Sequence, residues 1–342
     1  MPITTTGPER TKSSILLKAA ADLAPKLTSI TTRNALIQHL AAVAGHTPVQ
    51  FTIRDAFEML ECAMVGHILG SGQLAEFLLP HIIGLHHRLP TQTVRSEVQV
   101  CRQQFSTPAP IALFAQSRAA ITANDIMLEP SAGTGLLATE AVRLNAALHL
   151  NELDPQRRAL VSGLFPEAAV TGFDGAEIAA RWQGRVPTVI VMNPPFSRNA
   201  DGYEDSFTAL RHLHSAHKCL APGGRLVAIL PSWIDRAGRN AASLAKMTHG
   251  ASIIERYALG EGCFAKHGTS VATTLLVIDK VPGLAMVHNQ SIAALEDLIA
   301  QPRPLPRAAL EPGGGVLEPA PKLFSGFTRK TIVAKPDRKS VV

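Results

Sequence analysis

The chain has 342 residues, of which 46% are hydrophobic and 18% are charged, a balance typical of one or two soluble globular domains. No apolar run reaches the roughly 18 residues of a membrane span, and four cysteines without a CxxC pair indicate neither a disulfide framework nor a zinc cluster, so we expect a cytoplasmic protein without a bound metal. The net charge is +6, and residues 303–342 supply most of it with eight Lys or Arg against three Asp or Glu, which suits either a polyanionic partner or a solvated tail.

The first third of the chain has a helical pattern. Residues 1–13 are predicted to be a flexible lead, and four segments rich in Ala and Leu predict an all-helical N-terminal domain over residues 14–102. Thr52 and Asp55 resemble a capping box at the start of the third helix. The four segments are SILLKAAADLAPKL, TRNALIQHLAAVA, TIRDAFEMLECAMVGHILG and AEFLLPHIIGLHHRL.

Short apolar runs alternate with helical segments from residue 125 onwards. The runs DIMLEP, ALHLNEL, AAVTGF, VPTVIVM and GRLVAILP predict a parallel, doubly wound α/β sheet. SIIERYAL and VATTLLVID follow with no helix between them, which predicts a C-terminal antiparallel hairpin and therefore a seven-stranded sheet. We expect this domain to occupy residues 103–280, followed by a Pro-rich basic tail over residues 281–342.

The residues that follow the first three predicted strands suit a nucleoside-containing ligand, because ligands bind at the carboxyl edge of such sheets. In LEPSAGTG, Gly133 and Gly135 allow a close approach of the backbone, and the following helix offers free N–H groups to a carboxylate. An ordinary tight turn would use the same glycines. Glu152, or Asp154 as second candidate, is placed to bind a ribose, and Asp174 to bind an adenine amine, with helix capping as the alternative for Asp154 and Asp174.

The fourth predicted strand ends in the tetrapeptide NPPF, residues 193–196. Two prolines would stop a strand in any protein, but that role does not explain the aromatic residue placed after them. The Asn193 side-chain oxygen and the Pro194 carbonyl can accept hydrogen bonds from an exocyclic amine and stabilise the positive charge that it gains when it attacks a methyl group. Phe196 offers a face on which a base can stack. The motif therefore favours methylation of a planar amine.

These motifs resemble those of the class I S-adenosylmethionine-dependent amino-methyltransferases, in particular the N6-adenine DNA methyltransferases. Five strand–helix units followed by a hairpin form the Rossmann-like layout of that family. QQFSTP, residues 103–108, is similar to an F-x-TP segment that closes over the methionine part of the cofactor in the group whose cofactor motif precedes the catalytic motif. The helical region and Phe196 in place of tyrosine most resemble modification subunits of type I restriction systems and methylase regions of strawberry-notch-like helicase fusions.

The resemblance implies S-adenosyl-L-methionine as cofactor and the N6 amine of adenine in DNA as acceptor. It assigns the tetrapeptide to catalysis, and the glycine loop, the ribose acid and the F-x-TP segment to the cofactor. The catalytic residues so implied are Asn193, Pro194, Pro195 and Phe196. The cofactor residues so implied are Phe105, Thr107, Pro108, Glu129, Pro130, Ala132, Gly133, Gly135, Glu152 and Asp174.

Other functions stay open at this point. A glutamine-amide methyltransferase of the release-factor type also has a helical N-terminal domain and an NPP motif, although that family usually has tyrosine in the fourth place and lacks F-x-TP. Methylation of RNA is a second alternative, and a catalytically silent cofactor-binding or scaffolding module is a third. LNELD lacks the usual small residue ahead of the ribose acid, and GFDG is shifted from the family's commoner pattern.

The composition of the predicted tail indicates how the chain would bind a nucleic-acid partner. Residues 281–342 contain eight prolines and, apart from a candidate helix at SIAALEDLIAQ, no periodicity from which to build a reader of base edges. Its basic residues can bind phosphates without reading sequence. We therefore expect DNA as partner and a separate specificity subunit or a fused helicase region as the source of specificity. The phosphate-binding candidates are Lys322, Arg329, Lys330, Lys335, Arg338 and Lys339.

Overall fold

The computed structural model describes residues 8–92, 106–196, 207–234, 239–267 and 272–307. The α-helices of these residues are α1 (Pro8–Leu23), α2 (Arg33–Ala44), α3 (Ile53–Gly70), α4 (Ala75–Arg88), α5 (Ala109–Ala119), α6 (Thr139–Arg143), α7 (Pro155–Leu164), α8 (Ile178–Arg181), α9 (Thr208–Cys219) and α10 (Arg239–Met247). The strands are β1 (Ile126–Glu129), β2 (Ala147–Asn151), β3 (Ala169–Thr171), β4 (Val189–Met192), β5 (Arg225–Pro231), β6 (Ser252–Leu259), β7 (Thr273–Asp279) and β8 (His288–Ile292).

The predicted helical region is confirmed, with α1 to α4 covering the four Ala- and Leu-rich segments. The predicted boundary of the flexible lead is wrong, because α1 begins at Pro8, inside residues 1–13. The capping box is present at the start of α3. The Thr52 hydroxyl accepts a hydrogen bond from the Asp55 N–H at 3.3 Å, and the Asp55 carboxylate accepts one from the Thr52 N–H at 2.6 Å. These bonds satisfy backbone donors that the first turn of a helix leaves without partners. No helix within the described ranges is both long and apolar enough to cross a membrane.

The sheet has the doubly wound topology that the sequence predicts. Its strand order is β3-β2-β1-β4-β5-β7-β6-β8, and strands β1 to β5 run parallel. The chain order reverses between β1 and β4, which places the switch point beside the ends of the strands that precede LEPSAGTG and NPPF. β7 pairs antiparallel with both β5 and β6, so the predicted terminal hairpin is confirmed.

The sheet has an eighth strand that the sequence pattern does not predict. β8 pairs in parallel with β6 at the edge of the sheet and buries only Ile292 among its five residues. A polar edge strand of this kind lacks the apolar period by which strands are recognised. The candidate helix in the following segment forms only a short 3₁₀ turn, Leu295–Leu298. Residues 288–307, predicted as part of a tail, therefore belong to the folded domain.

The helical region and the sheet share one hydrophobic core. Alternate residues of β4 point to opposite faces, so that Val189 and Val191 pack in a cluster that also contains α1, α3 and α4, whereas Ile190 and Met192 pack against α9. α5 lies inside the first cluster and is buried along nearly its whole length. A helix that is buried on nearly all sides, including its Gln116 and Arg118, shows no amphipathic period, and α5 is accordingly absent from the prediction.

A strap formed by residues 302–307 crosses the amino edge of the sheet. Arg225, at the start of β5, donates hydrogen bonds to the carbonyls of Leu305 at 2.7 Å and Pro306 at 3.2 Å. Arg118 donates to the carbonyl of Pro302 at 2.6 Å, and Arg307 pairs with Asp125 just ahead of β1. The strap therefore ends on the edge of the sheet opposite the candidate site.

Candidate functional site

The loop after β1 has the backbone form that its glycines predict. Gly133 has φ +57° and Gly135 has φ +84°, a region that residues with a Cβ rarely adopt. A Cβ on Gly135 would lie 2.3 Å from the Phe165 ring, whereas a Cβ on Gly133 would meet nothing closer than the Arg157 Nη1 at 3.9 Å. Gly135 is thus required by packing, whereas a Cβ at Gly133 would make only an ordinary van der Waals contact with the Arg157 side chain.

Two buried carboxylates flank this loop. Glu152, at the end of β2, accepts hydrogen bonds from the N–H groups of Gly133 at 2.7 Å and Asp154 at 2.8 Å. Glu129, the last residue of β1, is 1% exposed, and its Oε2 has no hydrogen-bond partner among the described residues. Burial raises the pKa of the Glu129 carboxyl well above its ordinary value, and the nearby charge of Glu152 raises it further. Burial also raises the pKa of Glu152.

Asn151 fixes the position of the loops around these acids, and the sequence pattern gave no signal for it. Its amide nitrogen donates to the carbonyls of Pro130 at 3.0 Å and Phe173 at 2.9 Å. Its oxygen accepts from the Phe173 N–H at 2.8 Å and the Thr171 hydroxyl at 2.9 Å. One buried side chain therefore joins the segments that follow β1 and β3.

The other two acids at the strand ends form helix caps. Asp154 accepts hydrogen bonds from the N–H groups of Gln156 and Arg157 at the start of α7. Asp174 accepts one from the Ala176 N–H at 2.9 Å and lies 3.6 Å from the His212 Nε2. The capping alternative is thus present for both residues, while a second role for Asp174 in holding an adenine stays a prediction.

NPPF follows β4 directly at the switch point. The Asn193 amide nitrogen donates to the Thr107 hydroxyl oxygen at 2.9 Å. Pro194 is buried, and Pro195 and Phe196 are partly exposed. Thr107 is 8% exposed and precedes Pro108, which caps α5. The structure therefore brings the F-x-TP segment and the NPPF segment into contact, while Phe105 lies outside the described residues.

The helical region reaches the same edge through α3, which the sequence pattern does not reveal. The Glu61 carboxylate accepts hydrogen bonds from the hydroxyls of Thr134 at 3.2 Å and Ser106. Glu58 accepts one from the buried Arg157 Nε at 3.0 Å. Thus α3 contacts the glycine loop, the start of α7 and the segment that contains Thr107.

A pocket lies between the helical region, the segment that contains Thr107, and the end of the glycine loop at Leu136. Apolar side chains of α3 and of the segment after α4 form much of its wall, and the polar groups at its border include Glu61, His86 and Thr107. The lining residues are Phe57, Leu60, Glu61, Met64, His86, Leu89, Pro90, Gln92, Thr107, Ala109 and Leu136. This pocket therefore opens beside the residues that the sequence assigns to the cofactor.

Comparison of the structure with solved structures gives the fold. A protein from Listeria monocytogenes, assigned to the class I S-adenosylmethionine-dependent methyltransferases, aligns with a TM-score of 0.50 and 15% identity over 83% of this chain and 94% of its own. The chain has the class I methyltransferase fold. No protein-family model matches the chain, and no curated protein matches it in sequence.

Other solved structures with this methyltransferase fold align less closely. The methyltransferase subunit of a type I restriction-modification system from Streptococcus thermophilus aligns with a TM-score of 0.43 and 14% identity, over 80% of this chain and 66% of that subunit. The M protein of the type I restriction enzyme EcoKI aligns with a TM-score of 0.44 and 17% identity, over 52% of this chain. The chain spans 44% of the length of the EcoKI protein.

Proposed function

We propose that this protein transfers a methyl group from S-adenosylmethionine to the exocyclic N6 amine of adenine in DNA. The observation that carries the proposal is the position of Asn193 at the switch point of a class I methyltransferase fold, with its amide held by Thr107 and the sequence Pro-Pro-Phe directly after it. Acceptor chemistry of this kind needs hydrogen-bond acceptors at the amine and no strong base.

The hydrogen bond to Thr107 determines what Asn193 can do. Because the amide nitrogen donates to Thr107, the Oδ1 atom remains to accept a hydrogen bond from a target N–H. The Pro194 carbonyl supplies a second acceptor, and two consecutive prolines restrict the backbone that aims it. Two acceptors at one planar amine stabilise the positive charge that the nitrogen gains during attack. Phe196 supplies an aromatic face for the extruded base.

The residues around the glycine loop fit the proposed cofactor. Gly133 is not closely packed on its Cβ side, and Glu129 contributes a buried carboxylate oxygen that has no hydrogen-bond partner within the described part of the chain. Glu152 retains acceptor capacity for ribose hydroxyls beyond its two backbone bonds. S-adenosylmethionine supplies an electrophilic methyl group on a sulfonium sulfur, and these residues hold its methionine and ribose parts.

The charge of the chain supports DNA as the substrate. The net charge is +6, and the basic residues beyond the strap can bind phosphates. We expect the isolated chain to bind DNA weakly, without sequence preference and with a strong dependence on salt. Sequence specificity comes from a separate subunit or from a fused region such as a helicase. A footprint of the isolated protein on one tight recognition sequence would contradict this part of the proposal.

The experiment that tests the proposal compares acceptors directly. The protein is incubated with methyl-labelled S-adenosylmethionine and, in separate reactions, with DNA, RNA and a release factor. We expect label in DNA, recovered after digestion as N6-methyldeoxyadenosine. Label in the release factor or in RNA, and not in DNA, would show that the proposed acceptor is wrong and would identify the acceptor instead. No transfer to any acceptor, together with no binding of S-adenosylmethionine, would refute the methyltransferase assignment itself.

A further inference from the structure

Acidic side chains outnumber basic ones in the charged cluster near the glycine loop, which consists of the acids Asp55, Glu58, Glu61, Glu129, Glu152 and Asp154 and the bases Lys12, Arg54 and Arg157. Three of the acids in the cluster have cationic partners, because Asp55 pairs with Lys12 at 2.8 Å, Glu58 with Arg157 at 3.0 Å, and Asp154 lies 3.4 Å from Arg54. No ion pair within the described part of the chain involves three further acids at the same edge. These acids are Glu61, Glu129 and Glu152. The cluster therefore has room for another cation.

Two atoms in this cluster are buried without hydrogen-bond partners among the described residues. One is an acceptor, the Oε2 of Glu129. The other is a donor, the Nη2 of Arg157, whose side chain is 5% exposed. The Nη1 of the same guanidinium lies 3.9 Å from the position that a Cβ on Gly133 would take. A buried polar group without a partner lowers the stability of the fold. An anionic group would give the Nη2 of Arg157 a partner, and a cationic group beside that anion would lie among the acids of the cluster.

We propose that Glu61 of α3 and Arg157 of α7 bind the amino-acid end of the cofactor, Glu61 its ammonium group and Arg157 its carboxylate. This inference rests on the proposed use of S-adenosylmethionine and adds two residues that no sequence motif assigns to it. Glu61 is suited to the ammonium because it already joins both cofactor motifs, through Ser106 and Thr134. Arg157 is suited to the carboxylate because a guanidinium donates from two nitrogens in one plane. The helical region thereby completes the cofactor site.

The groups around Glu61 predict that cofactor binding is coupled to the protonation of the Glu61 carboxyl. Burial raises the pKa of the Glu61 carboxyl, while the Arg157 charge and the Ser106 hydroxyl lower it. The other titratable groups around it are Glu58 and Cys62 on α3 and His86 across the pocket. An ammonium at Glu61 favours the charged carboxylate, so binding releases protons, and affinity falls as the pH falls through the pKa of the free protein.

Titration calorimetry with S-adenosylhomocysteine tests the ammonium contact, since this ligand keeps the amino-acid end and lacks the sulfonium charge. We expect Glu61→Gln to weaken binding about tenfold to a hundredfold and to reduce the number of protons released. The same variant should bind 5′-methylthioadenosine, which lacks the amino-acid end, as the wild type does. Glu140→Gln is the matched control, because the Glu140 carboxylate also accepts a hydrogen bond from another segment, the Ala75 N–H of the helical region at 3.0 Å.

A ligand series on the wild type, repeated in one variant, tests the carboxylate contact. We expect the decarboxylated analogue of S-adenosylhomocysteine to bind the wild type at least about tenfold more weakly than the parent ligand. The ratio of these two affinities, which we call the gap, should be smaller in Arg157→Lys, because lysine keeps the charge and loses the second nitrogen. An unchanged affinity of Glu61→Gln for S-adenosylhomocysteine, or an unchanged gap in Arg157→Lys, would overturn the inference. Either result leaves the proposed function standing if the wild type binds S-adenosylhomocysteine and methylates DNA.

Discussion

The two edges of the sheet differ in how fully their buried charged side chains are hydrogen bonded. At the amino edge, Arg225 is 0% exposed and donates five hydrogen bonds, two of them to Asp279 at 2.7 and 2.9 Å and three to backbone carbonyls. At the carboxyl edge, Glu129 and Arg157 each leave a buried polar atom without a partner within the described residues. The Arg225–Asp279 pair is satisfied by the protein alone, although the Nη1 of Arg307 in the strap is also buried without a partner among the described residues. At the carboxyl edge we assign the missing partners of Glu129 and Arg157 to a ligand.

This difference separates stability from function. A buried ion pair with every donor satisfied fixes the strap and the ends of β5 and β7, but it offers no group to a substrate. Acids held close together with few partners cost stability and provide binding energy when the ligand arrives. Substitutions at the amino edge should therefore change unfolding, and substitutions at the carboxyl edge should change binding or turnover.

The largest effect is expected at the amino edge. Arg225→Met leaves the Asp279 carboxylate buried without its partner, and we expect a loss of about 3–5 kcal/mol in the free energy of unfolding. The affinity of the folded protein for S-adenosylhomocysteine should not change. Urea unfolding and calorimetry measure the two quantities. The double variant Arg225→Met/Asp279→Leu is the control, because removing both charges should restore part of the stability. Weakened binding with unchanged stability would contradict the division between the edges.

The two glycines of the loop after β1 give a matched pair. Gly135→Ala places a Cβ 2.3 Å from Phe165, so we expect overpacking of about 1–3 kcal/mol in addition to left-handed strain of about 1–2 kcal/mol. Gly133→Ala carries the strain without overpacking, but it places its Cβ on the side of the loop that we assign to the cofactor. Thermal unfolding should rank Gly135→Ala as the less stable variant, and calorimetry should rank Gly133→Ala as the weaker binder. The reverse ranking would refute the cofactor assignment of this loop.

Glu129→Gln tests whether the carboxyl edge gives up stability for binding. Burial raises the pKa of Glu129, so the folded protein keeps this proton to a higher pH than the unfolded chain does. Its contribution to stability is present below the unfolded pKa and is lost as the pH rises through the folded pKa. The variant mimics the protonated form. We therefore expect it to be more stable than the wild type at pH 8 without ligand, yet to bind S-adenosylhomocysteine about tenfold more weakly.

Measurement of thermal unfolding from pH 4.5 to 8 checks the first half of this prediction, because the stability difference should shrink towards the acid end. Calorimetry checks the second half. A variant that is less stable than the wild type throughout this range would show that the Glu129 charge stabilises the fold and would contradict the contrast between the edges.

The smallest effect is expected at Thr107. Thr107→Val removes the hydroxyl that holds the Asn193 amide, and we expect kcat to fall about threefold to tenfold, the value of one neutral hydrogen bond. Thr107→Ser keeps the hydroxyl and should restore most of the rate. Steady-state kinetics with DNA separate kcat from KM. A loss in the valine variant confined to the KM for S-adenosylmethionine would assign Thr107 to the cofactor alone.

Local signals in the sequence were sufficient for most of the fold. Strand–helix alternation predicts β1 to β7, and the pair Thr52 and Asp55 predicts the start of α3. β8 and α5 were not predicted, for opposite reasons. β8 is too polar, and α5 is too evenly buried, for either to show a period of apolar residues. The extension of the folded domain to residue 307 depends on distant arginines, which a local pattern cannot show.

The site could be predicted only in part from the sequence. Strand ends meet at one edge of a parallel sheet, so the positions of Gly133, Glu152 and Asn193 followed from the order of the motifs. The contacts of Asn151, Glu61 and Arg157 join segments far apart in the chain, and each residue type is common in places without a function. Their partners are fixed by packing, and no spacing within the sequence encodes them.

The central claim is that Asn193 acts on the acceptor amine and not on the cofactor. Single-turnover methyl transfer by Asn193→Ala, measured beside its affinity for S-adenosylmethionine, tests it most directly. We predict that the rate of N6-methyldeoxyadenosine formation falls on the order of a hundredfold or more, as when one preorganised hydrogen-bonding group is removed from other active sites. Cofactor affinity should stay within about threefold of the wild type. Wild-type transfer by this variant would contradict the account.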